Sequence, residues 1–259
     1  MKNDSRIWEL DFLRGFCIFM MLLHHVSFDL RHVMGLDVFS FLDSSFFIDM
    51  IRGSFVLLFL LISGICVNFS GSYGKRSLKM AGGAILFSLL MAGISYLIQK
   101  DLYVFFNILH LLSFGYFFVF FLSWLSGKFF SKGEEKRKRF FSASCIFLAL
   151  LFFVGEVLIP TLSLKPSLLL LPLGIVSDSI LPMWDYLPIF PWLSFFFFGI
   201  LLGQRLYVNR KSRFSSFSLA SSLPIRFFLE IGKHSLPIYF LHQPFFLLVL
   251  FLLRELRFF

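Results

Sequence analysis

The sequence predicts an all-α polytopic membrane protein with about seven transmembrane helices. Of its 259 residues, 58% are hydrophobic and 20% aromatic, 41 of them Phe, whereas soluble domains sit near roughly 45–50% apolar. Charged residues make up 15% of the chain and mean hydropathy is +0.84. A water-facing shell around so apolar a core cannot be built, so the surplus must meet lipid. The apolar residues also fall in continuous runs of about 20, the length that carries a helix across roughly 30 Å of hydrocarbon. They lack the period-two alternation of a barrel.

The expected spans are 10–31, 46–69, 78–98, 103–126, 140–160, 188–207 and 235–254. The first run is interrupted by Asp11 and Arg14 and has no small-residue cleavage site, so it is expected to stay as helix one and not to be a cleaved signal peptide. Basic residues follow alternate spans: Lys2 and Arg6 come before the first, Lys75, Arg76 and Lys79 after the second. Lys128, Lys132, Lys136, Arg137, Lys138 and Arg139 follow the fourth, and Arg205, Arg210, Lys211 and Arg213 the sixth. All four clusters fall on one side with seven crossings, the N-terminus in the cytoplasm and the C-terminus outside, as expected for a multi-pass protein of the cytoplasmic (inner) membrane. The stretch 167–176 is apolar but short and carries Pro172 and Gly174, so a re-entrant or interfacial segment is expected there. Trp8, Trp124, Trp184 and Trp192 sit at run ends, as an aromatic belt requires.

The net charge of +9 is explained by these loops, which leaves nucleic acid an unlikely partner and membrane lipid the expected one. Cys17, Cys66 and Cys145 lie inside apolar runs, too few and too buried for a disulfide framework, and no metal-ligand spacing occurs. Residues 127–140 read as a solvated loop and 212–223 as a Ser-rich linker. No repeat or soluble domain interrupts a single transmembrane domain over 1–259.

Polar residues inside the membrane carry the functional signal, because lipid makes them expensive. Arg14 and His25 are eleven residues apart, three helical turns plus about 20°, so they share a face some 16 Å apart along the axis. Asp11 and Asp29 lie within about 60° of Arg14, giving one Asp–Arg–His–Asp stripe. Such a stripe needs a protein or water-filled cavity to face. Asp49 and Arg52, at i,i+3, are expected to pair. Arg52, His110 and His242 are candidates to line the same cavity from other spans. Histidines distributed over three spans favour proton handling. Small residues in SGICVNFSG (63–71) permit close helix contact.

The runs RIWELDFLRGFCIFMMLLHHVSFDL, FLLISGICVNFS, FNILHLL, YLPIFPWLSFFFFGILLG and IGKHSLPIYFLHQP occur in this order from about residue 6 to 245. Together they resemble the bacterial branch of the heparan-alpha-glucosaminide N-acetyltransferase-like membrane proteins, within the wider transmembrane acyltransferase group. The resemblance implies an acyl-CoA-dependent acyltransferase that moves an acyl group, usually acetyl, from cytosolic acetyl-CoA to a sugar or other glycan acceptor on the far side, as in polysaccharide modification. On that implication Arg14, with Asp11 beside it, belongs at the CoA mouth. His25 is the general base or acyl carrier, and Asp29 fixes its tautomer. The lysosomal branch has Asn at the position of His25 and puts its histidine in the loop after helix one, where His32 is the counterpart here. His24 points about 100° away from His25 and is expected to pack. The competing class is a small permease or flippase for a lipid-linked sugar, which the lack of inverted repeats disfavours.

Overall fold

The computed structural model describes residues 7–131, 133–162, 164–176, 185–214 and 222–257. Every regular element among them is helical. Lys2, Arg6, Lys132, Trp184 and residues 215–221 of the expected linker lie outside the described residues.

Helix α1 (Trp8–Phe28) runs on into a π-helical turn, Asp29–Val33. A loop with one 3-10 turn leads to a second π-helical stretch, Phe46–Arg52, and then α2 (Gly53–Val67). Helices α3 (Tyr73–Ile98), α4 (Ile108–Phe129) and α5 (Glu134–Leu158) follow. After a 3-10 segment, Leu168–Leu173, come α6 (Trp192–Leu206), α7 (Leu223–Lys233) and α8 (Ser235–Glu255).

Among the described residues, six stretches are long and apolar enough to cross a membrane: Trp8–Val33, Phe46–Val67, Tyr73–Ile98, Ile108–Phe129, Glu134–Thr161 and Ser235–Glu255. The chain is a multi-pass membrane protein. Large apolar side chains such as Leu78, Leu89 and Leu97 on α3, and Phe147, Leu151 and Val154 on α5, face outward, where lipid leaves them no driving force to hide. The remaining expected span forms α6, whose 15 residues rise about 22 Å. Pro188 and Pro191 explain its late start, since proline lacks the amide hydrogen and keeps its predecessor extended. Leu168–Leu173 spans about 12 Å as a 3-10 helix, too short to cross. The Tyr186 hydroxyl donates to the Leu171 carbonyl at 2.5 Å, and the Ile189 amide to the Pro172 carbonyl at 2.8 Å. Burial pushes the Tyr186 phenol up to about 12.

The chain divides into two compact units, Met1–Ile62 with Tyr207–Phe259, and Ser63–Leu206. In the first, α1 crosses α7 at two glycines. A Cβ on Gly15 would lie 1.8 Å from the Phe228 carbonyl oxygen, and one on Gly232 1.8 Å from that of Asp11. Only hydrogen fits where the backbones touch. Phe12, Phe16 and Phe19 meet Phe228 edge-on around the crossing. The buried Glu9 carboxylate accepts from Ser212 Oγ at 2.8 Å and the Arg213 amide at 2.7 Å, which ties 212–213 to the first turn of α1. Helix α8 also packs along α1.

In the second unit, Ser77 and Ser113 each donate a hydroxyl to the other's carbonyl, at 3.0 and 3.2 Å, and so join α3 to α4. Ser142 Oγ donates to Gln204 Oε1 at 2.8 Å between α5 and α6. Gly64 meets the Phe196 backbone, and Asn68 Nδ2 donates to the Ile200 carbonyl at 3.0 Å. The small residues of 63–71 thus serve close packing, as expected.

Candidate active site on the first and last helices

Asp11 and Arg14 form an ion pair at 3.2 Å one turn into α1. The stripe therefore begins with a guanidinium whose charge is already balanced by its neighbour.

Three turns on, His25 meets α8. Its ring centroid lies 4.8 Å from that of His242, with the planes inclined at 52°. One turn further along the same face, Asp29 is 0% exposed, and Gln243 Nε2 donates to both of its oxygens at 2.8 and 3.0 Å. Two consecutive residues of α8 thus engage two residues of α1 spaced i,i+4, the spacing that stacks side chains on one helical face. Among the described residues no cation pairs with Asp29.

His242 is 5% exposed. Its Nδ1 lies 2.6 Å from the Tyr239 carbonyl oxygen. A carbonyl only accepts, so this nitrogen carries the hydrogen and Nε2 keeps the lone pair. That Nε2 and the neighbouring Gln243 Oε1 are buried with no hydrogen-bond partner, a cost of about 1–3 kcal/mol for each such group. Both open atoms are acceptors.

His24 sits between the rings of Phe28 and Phe47, at 6.1 and 5.5 Å, in keeping with packing. Arg52 makes no hydrogen bond or ion pair with a described residue, and its charge acts on both His24 and His25. The expected Asp49–Arg52 pair does not form. The backbone there is π-helical, and i→i+5 winding moves residue i+3 off the face of residue i.

His32 belongs to a loop clamp. Its Nε2 lies 3.1 Å from Asp43 Oδ1, while Arg31 reaches the other Asp43 oxygen at 2.8 Å and Asp37 at 3.2 Å. The Arg31 hydrogen bond holds the Asp43 carboxyl below the usual aspartate range, with His32 adding to it. His110 lies in the Ser63–Leu206 unit. There its Nδ1 and Asn107 close a capping box at the start of α4, a structural task that serves the free amides of the first turn.

The arrangement brings together His25 and His242, with Arg52 acting on His25 through its charge. It joins Asp11 to Arg14 and assigns Asp29 to Gln243. Sequence reasoning missed Gln243, although an amide next to histidine in an apolar run is itself a signal.

The family model for the catalytic part of heparan-alpha-glucosaminide N-acetyltransferase matches residues 6–244. The chain belongs to this family. The match closes at Pro244, so His25, Asp29, His242 and Gln243 all lie inside the part shared with the heparan-alpha-glucosaminide N-acetyltransferase family. No curated protein and no solved structure matches the chain.

Proposed function

We propose that this chain is an acyl-CoA-dependent acyltransferase of the cytoplasmic membrane. It transfers an acyl group, acetyl in the simplest case, from the cytosolic thioester to a glycan acceptor at the outer side. The observation that carries this reading is the His25–His242 imidazole pair beside a buried Asp29, on helices inside the matched catalytic region. Two neutral imidazoles in a dry site can take up a proton from the acceptor and return it to the leaving group within one turnover. His25 is the general base or acyl carrier, and Asp29 supports that face of α1 through Gln243. His32, held by Asp43, is the second choice for the catalytic histidine.

Arg14 serves the donor. Its pairing with Asp11 holds the guanidinium at the end of α1 read as cytoplasmic, and a guanidinium suits the oxygens of CoA phosphate or pantetheine. Arg52, without a hydrogen-bond or ion-pair partner among the described residues, and His242 serve the acceptor. The orientation is that of seven crossings, with α6 counted as one.

The test is release of CoA thiol from acetyl-CoA by purified protein, with a native lipid and glycan extract supplying the acceptor. Wild type should release thiol and label the extract, and His25→Ala should lose about 10²–10⁴-fold in rate. Wild-type inertness, or full activity in His25→Ala, would remove the reading or the assignment respectively.

A further inference from the structure

His242 has a job beyond lining the acceptor site. The Tyr239 carbonyl fixes the hydrogen on Nδ1, so the lone pair on Nε2 is set by backbone geometry and not by solvent. That Nε2 is buried and unpartnered, and the ring centroid is 4.8 Å from that of His25. The titratable and charged groups around the pair are His24 and Asp29 on α1 and Arg52 ahead of α2. Asp29 is occupied by Gln243. The His24 ring, whose Nδ1 is likewise buried without a partner, lies farther from His25, at 5.5 Å between centroids, and has no carbonyl among the described residues to fix its tautomer. His242 is the nearer ring and the one whose lone pair is placed.

We infer that His242 is the proton-holding partner of His25, a positioning residue that fixes which His25 nitrogen faces the substrate. This rests on the acyltransferase reading above. A turn of the His25 ring brings its near nitrogen, as N–H, onto Nε2 of His242, and the far nitrogen then keeps its lone pair for the acceptor. As the acceptor oxygen or nitrogen attacks the thioester carbonyl, its proton goes to that far nitrogen. The near N–H proton passes to Nε2 of His242. The new acyl bond forms and the C–S bond breaks. The leaving thiolate then takes the proton from the far nitrogen of His25, and His242 returns the other, so both rings end neutral.

His242→Asn tests this, because the amide keeps an N–H for the Tyr239 carbonyl and has no basic nitrogen. With acetyl-CoA and the native extract, kcat should fall by about 10² or more while KM for acetyl-CoA stays within roughly twofold. One ionisation should also leave the pH–rate profile. Unchanged kcat and profile, or a change confined to KM, overturns the inference. A second readout needs neither the variant nor turnover. In histidine-labelled wild type, the 15N spectrum should give His242 a protonated Nδ1 and an Nε2 lone pair, and the Nε2 signal should move in His25→Ala. The opposite tautomer, or a signal blind to His25, also overturns it. Wild type that releases no thiol but shows the expected tautomer sinks the acyltransferase reading, and the relay with it.

Discussion

At the scale of single residues, the stripe on α1 was legible because helical periodicity and the cost of charge in lipid act on the same few letters. Asp11, Arg14, His25 and Asp29 stand out in an apolar run, and spacing alone puts them on one face. Their partners were not legible, since Gln243 and Asp43 are brought to Asp29 and to His32 by tertiary folding. The Asp11–Arg14 pair shapes one prediction. Arg14→Ala should weaken acetyl-CoA binding about tenfold, measured by isothermal titration, and Arg14→Lys should recover only part, because an ammonium lacks the planar fork. Equal affinity in all three proteins would reduce Arg14 to an anchor for α1. His24 makes a useful contrast. Set between Phe28 and Phe47, His24→Ala should cost stability and keep most of the transfer rate that His25→Ala loses.

At the scale of elements, each long helix contains most of its apolar run, but the expected loop 127–140 is mostly helix. Helix α4 runs to Phe129 and α5 starts at Glu134, where Glu134–Lys138 and Glu135–Arg139 pairs at i,i+4 support a polar first turn. Helix α7 lies between the expected linker, 212–223, and the last expected span, 235–254, where no element was expected, although Ile225, Phe228, Leu229 and Gly232 recur at helical spacing after Pro224. Eleven residues are too few to register as a span, so its crossing over α1 at Gly15 and Gly232 was hidden. Gly232→Ala should lower stability by about 1–3 kcal/mol, seen as a lower Tm in detergent, because the new methyl meets the Asp11 backbone. Gly82→Ala, where nothing lies within 4 Å of the added Cβ, should not lower it. The loop of residues 34–45 offers a pH test. Asp43 is held below its ordinary value of 3.8 chiefly by Arg31. A depressed carboxyl stabilises above its unfolded pKa, and that stabilisation disappears as pH falls through the folded value. Amide exchange in 34–45 should therefore stay slow from neutrality down to the ordinary aspartate range and quicken below it. Asp43→Asn should show the fast rate throughout, and protection that ignores both changes would argue against the clamp.

At the scale of the whole molecule, composition alone placed the chain in the membrane, and six helices of spanning length agree. The proposed seventh crossing, α6, is shortened to 15 residues behind Pro188 and Pro191, and a helix of about 22 Å would cross only a locally thinned bilayer. The proposal of seven crossings rests on the one-sided basic clusters. A reporter fused at Lys211 should report cytoplasm, and one after Arg254 should report the outside. An outside signal at Lys211 would change the number of crossings and with it the side on which each end of α1 lies. The central claim, transfer of an acyl group across the bilayer by the His25 site, is tested most directly in sealed vesicles holding wild-type protein. Radiolabelled acetyl-CoA is supplied at the cytoplasmic face alone and the glycan extract at the other. The account predicts label in the glycan with wild type and its loss with His25→Ala. Passage of label-free glycan or lipid-linked sugar without consumption of acetyl-CoA would contradict it and identify a permease instead.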